Sequence, residues 1–160
     1  MRVYWTYFFA ALSTIWVLLF YLGFSAGFAN YFPILALLGS ISLFVLATPI
    51  VLYKFRLGLI LGLISYLLML PYIIGFISGI LSDIFAGTNF HFIILLMFLP
   101  PILVITGIYL SIKGLISKKK IFFETTNETL KIILAIIPIF LFIMYLLFYS
   151  KYWSWETFNV

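Results

Sequence analysis

Apolar residues run through this chain in five long blocks, and the short polar breaks between them set the boundaries of its elements. The pattern predicts an all-α bundle of transmembrane helices over about residues 3–24, 34–53, 57–81, 92–116 and 129–149. At about 1.5 Å rise per residue, each block is long enough to cross a hydrocarbon core about 30 Å thick. The clearest is LGLILGLISYLLMLPYIIGFISGIL, from Leu57 to Leu81, which carries no charge. Two small-xxx-small spacings lie on it, Gly58 with Gly62 and Gly75 with Gly79, and each pair leaves one helical face open to close packing. Pro71 sits between the pairs and removes a backbone donor, so a bend near Leu67 to Pro71 is expected.

The breaks carry their own signals. Ser25 to Tyr31 is short and uncharged, and Pro33 after it suits the first turn of a helix. Gly27 and Ala29 have the small-residue spacing of a leader cleavage site, but the apolar stretch before them is long and opens on an aromatic cluster, Tyr4, Trp5 and Tyr7. A retained helix with an interfacial belt is therefore expected. Lys54, Phe55 and Arg56 predict a tight basic turn, and SDIFAGTNF from Ser82 to Phe90 reads as a loop. Adjacent Pro100 and Pro101 predict a break near the middle of the fourth helix, with carbonyls that need partners elsewhere. Lys118, Lys119 and Lys120 stop that helix, and the spacing of Thr125 to Glu128 resembles a capping box that starts the fifth. Pro138 bends the fifth helix, and Tyr152, Trp153 and Trp155 form a second aromatic belt.

Composition sharpens the class. Hydrophobic residues make up 66% of the 160 and charged residues 8%, and mean hydropathy is +1.31. These values describe one membrane-embedded domain over 1–160 with little sequence for a separate catalytic domain. The net charge of +5 belongs to residues flanking the apolar blocks, so nucleic acid is not an expected partner. The absence of cysteine excludes disulfides and thiolate chemistry. With five crossings and a cytoplasmic N-terminus, Arg2, Lys54, Arg56, Lys113, Lys118, Lys119, Lys120 and Lys131 all fall inside, leaving one of the nine cations, Lys151, outside. The expected topology is N-in and C-out in the plasma membrane, with the sequon at Asn127 on the cytoplasmic side and unglycosylated.

Chemistry within a bilayer usually rests on ionisable groups at depth. Here Asp83, Glu124, Glu128 and Glu156 lie in loops or at helix ends, and the helix centres offer only hydroxyls, including Ser13, Thr14, Ser40, Ser65, Tyr66 and Ser111. Helix packing is the favoured role for these. His91 is the single histidine, so a bis-histidine haem or a multi-histidine zinc site cannot be built within one chain. A sharper idea pairs Asp83 with His91 at the outer interface to bind or deprotonate a quinol headgroup; a water-exposed loop pair is the favoured reading. Lys118, Lys119 and Lys120 are candidates for contact with anionic lipid. Further small spacings join Thr6, Ala10 and Thr14, Ala36 and Ser40, and Gly107 and Ser111, whereas the fifth helix is bulky and fits a periphery.

No metal, cofactor or catalytic residue is expected. The pattern suggests a non-catalytic accessory or structural subunit of a larger membrane complex, with a respiratory or other electron-transfer assembly favoured by analogy, and other subunits and lipids as partners. The alternative is a small homo-oligomeric carrier or channel for a neutral or lipid-like solute.

Overall fold

A computed structural model describes residues 2–25, 32–85, 96–117 and 128–148. The described residues form five long helices: α1 Arg2–Ser25, α2 Phe32–Tyr53, α3 Phe55–Phe85, α4 Leu99–Ile116 and α5 Glu128–Phe148. Each is long and apolar enough to cross a membrane. In lipid a backbone must satisfy its own polar groups, and a continuous apolar helix does so without loops at depth.

Four helices close a ring in the order α1, α2, α3, α4, with α4 returning against α1. The fifth lies outside the ring, packed along α2. The contacts fix the register: Tyr7 of α1 meets Phe44 of α2, Tyr66 of α3 and Ser111 of α4 in one layer. Tyr7, Thr14 and Tyr21 of α1 meet Tyr66, Met69 and Tyr72 of α3 in the same order. Ser40 and Val51 of α2 meet Ser65 and Gly58 in reverse, as Gly107 and Gly114 of α4 meet Tyr66 and Leu59, so consecutive helices of the ring run up and down. This alternation gathers the start of α1, the α2–α3 turn, the end of α4 and the start of α5 at one end of the bundle, and with them Arg2, Lys54, Arg56, Lys113 and Lys131.

Element boundaries differ from the sequence expectation in three places. Only Lys54 interrupts the helices at the basic turn, since Phe55 and Arg56 already belong to α3. The chain turns there through Lys54 N–H to Ile50 O at 2.7 Å and Gly58 N–H to Lys54 O at 3.0 Å. At its other end α3 runs on through Ser82 and Asp83 to Phe85, residues whose polarity had suggested a loop. Its 31 residues measure about 46 Å at about 1.5 Å each, which exceeds an average core and requires tilt or projection beyond it. The third difference is in where the expected break falls: Leu96 and Met97 are helical, Phe98 turns at φ −79° and ψ −9°, and Pro100 and Pro101 then lie in the first turn of α4. A first turn has no intrahelical acceptors for its N–H groups, so prolines there cost no hydrogen bond.

The interior is built by α1, α2 and α3. Tyr4, Tyr7, Thr14, Val17 and Leu18 bring one stripe of α1 inward, and Trp5, Phe9, Leu12, Trp16 and Leu19 form the opposite, exposed stripe. Tyr4 and Tyr7 are thus core residues rather than members of an interfacial belt, and Trp5, 41% exposed, keeps the outward position. On α5 only Leu134 and Pro138 are buried, while Ile132, Ile136, Phe140, Ile143 and Leu147 face outward.

Candidate functional site

Hydroxyls line the inside of the bundle from Tyr4 to Tyr21 of α1. Three rings, Tyr7, Phe44 and Tyr66, meet where the four ring helices cross. Phe44 and Tyr66 lie 4.6 Å apart at 69°, and Tyr7 and Tyr66 5.7 Å apart at 67°. Edge-to-face packing of this kind suits the ring quadrupoles. The rings fit because glycines make room for them. A Cβ on Gly62 would overlap the Tyr7 ring, and one on Gly107 would overlap Tyr66. The same device recurs outside the layer, with Tyr21 against Gly75, Val51 against Gly58 and Leu59 against Gly114.

Hydroxyls then link the helices. Ser111 Oγ–H donates to Gly107 O at 2.6 Å, so Tyr7 O–H is the donor in its 2.7 Å bond to Ser111 Oγ. Ser40 and Ser65 form a reciprocal pair between α2 and α3, Ser40 donating to Ser65 O at 3.0 Å and Ser65 to Ser40 O at 2.6 Å. Thr14 back-bonds to Ala10 O at 2.6 Å, and Tyr21 donates to Tyr72 O at 3.0 Å. Among the described residues the buried side-chain atom left without a partner is the Tyr66 hydroxyl, enclosed against Gly107.

The fifth helix is tied in by one further tyrosine. Tyr4 O–H donates to Leu134 O at 2.7 Å. In a regular helix that carbonyl would accept from the N–H four residues on, and residue 138 is proline, which has none. Tyr4 thus satisfies the acceptor that Pro138 leaves free, and it does so from another helix.

Of the positions singled out from the sequence, Gly58, Gly62 and Gly75 lie against Val51, Tyr7 and Tyr21, all side chains of this same chain. Gly79 is half-buried on α3. Asp83 falls in the last turn of α3, while His91 and Lys118, Lys119 and Lys120 lie outside the described residues, as do Glu124, Glu156 and the aromatic tail. Within the described residues no group of three or more His, Cys, Asp or Glu comes together. Tyr66 was among the hydroxyls expected to pack between helices, whereas Tyr7 and Tyr21 were not tied to the glycine hollows, although Tyr4, Tyr7, Ala11, Thr14 and Leu18 recur at helical spacing and mark one face. No protein-family model, no curated protein sequence and no solved structure matches this chain.

Proposed function

We propose that this chain is a non-catalytic subunit of a larger membrane complex, held N-in and C-out in the plasma membrane and serving to pack against and stabilise a core subunit. The observation that carries the reading is where the chemistry goes. Tyr4, Tyr7, Ser40, Ser65 and Ser111 are spent on helix-to-helix bonds inside the bundle. The outward faces of α4 and α5, with Ile102, Ile105, Ile136 and Phe140 between 56% and 70% exposed, are aliphatic and aromatic and are left open to a neighbouring subunit or to lipid. Native membranes extracted in a mild detergent test the proposal. A tagged chain should migrate in an assembly well above its own 18.5 kDa, and the co-purifying subunits identify the class of complex, for which electron transfer is the leading expectation. A lone monomer would overturn it.

A homo-oligomeric carrier for a neutral or lipid-like solute is the second reading, favoured by the unpartnered Tyr66 hydroxyl within a row of central hydroxyls. Solute flux into liposomes containing only this chain would favour it over the subunit.

A further inference from the structure

Two grooves open on the outer surface near the basic end of the bundle. One, of about 450 Å³, is lined by Tyr109, Ile112, Lys113, Ile116 and Ser117 along the last turns of α4. The other, of about 330 Å³, lies at the α2–α3 corner and is lined by Pro49, Ile50, Tyr53, Lys54 and Leu57. They share no residue yet repeat one inventory: apolar walls, one tyrosine and one lysine. In the α4 groove the lysine has the tyrosine as a neighbour one helical turn away. Lys113 Nζ donates to Tyr109 Oη at 3.4 Å and stands 5.4 Å from the ring centroid. One hydrogen bond does not exhaust the three donors of the ammonium.

We infer that each groove seats one anionic phospholipid, with its phosphate on Lys113 or Lys54 and an acyl chain along the aliphatic wall. Charge selects the occupant. The described residues bring Arg2, Lys54, Arg56, Lys113 and Lys131 to this end, against Glu128 as the described acid there. A cation held against a hydrocarbon wall is stabilised by a headgroup that carries net negative charge, which a zwitterionic lipid does not supply. Tyr109 and Ser117 add hydroxyls that suit the phosphate and glycerol oxygens. The proposal stands whether or not the chain works as a subunit.

Native mass spectrometry of the full chain, titrated with phosphatidylglycerol or phosphatidylcholine, is the test. Two phosphatidylglycerol molecules should be retained at concentrations where phosphatidylcholine is stripped. Lys113→Gln and Lys54→Gln should each lose one and the double variant both, whereas Lys131→Gln, a cation lining neither groove, should keep both. Ile112→Trp, which fills the α4 groove without altering charge, should also lose one. Equal retention of the two lipids would overturn the proposal. So would a loss with Lys131→Gln matching that of Lys113→Gln, or full retention by Ile112→Trp.

Discussion

Three buried tyrosine hydroxyls in this bundle have different fates, and those fates predict different responses to the loss of one oxygen. Tyr7 donates to Ser111 at 2.7 Å, so Tyr7→Phe should lower stability by about 1 kcal/mol, the usual scale of a hydrogen bond between membrane helices. Tyr66 has no partner for its buried hydroxyl. Tyr66→Phe removes an unpaid desolvation cost and should leave stability unchanged or raise it by up to about 1 kcal/mol. Unfolding in detergent, followed by tryptophan fluorescence, separates the two, and an equal loss in both would show that Tyr66 is bonded after all. For Tyr4 the informative measurement is a double-mutant cycle. Tyr4→Phe should cost about 1 kcal/mol in the native background and less in Pro138→Ala, where residue 138 regains the N–H that Leu134 O otherwise lacks. Equal costs in both backgrounds would mean that Tyr4 does not compensate for the proline.

Between helices, the pairing of a large side chain with a glycine sets the spacing. Gly62→Ala and Gly107→Ala force a methyl into the Tyr7 and Tyr66 rings and should each cost about 1–3 kcal/mol, as overpacking generally does. Gly39 has open space around it, so Gly39→Ala should be neutral or stabilising by up to about 1 kcal/mol through helix propensity alone. A uniform response at the three positions, measured by thermal unfolding, would show that the hollows do not fix the packing. Element by element, the five helices were legible because long apolar blocks between polar breaks admit few other structures in lipid. Their ends were less so. Ser82 and Asp83 read as loop formers, yet a helix can carry polar residues once it passes the hydrocarbon. Pro100 and Pro101 marked an interruption that the structure places at Phe98, because periodicity alone does not say on which side of a proline pair the helix resumes. The glycines could be picked out as contact points, but which tyrosine fills which could not, since each partner sits on a different helix and the pairing exists only in the folded bundle.

Across the whole molecule, alternation of the helices places Lys54 and Lys113 at the same end although they belong to different turns of the chain. The protein has no cysteine, so a single cysteine at either position gives one reactive thiol. Both should be blocked by an impermeant maleimide from the same side of sealed vesicles, the cytoplasmic side under the proposed orientation; labelling from opposite sides would break the up-and-down arrangement. The fifth helix carries a different consequence. Its link to Tyr4 joins residues 130 positions apart, so during synthesis that bond cannot close until the ribosome has passed Leu134. The four-helix ring can assemble earlier, and the clasp between α1 and α5 then closes only once the fifth helix has been made. A product stalled before α5 would leave the Tyr4 donor bare.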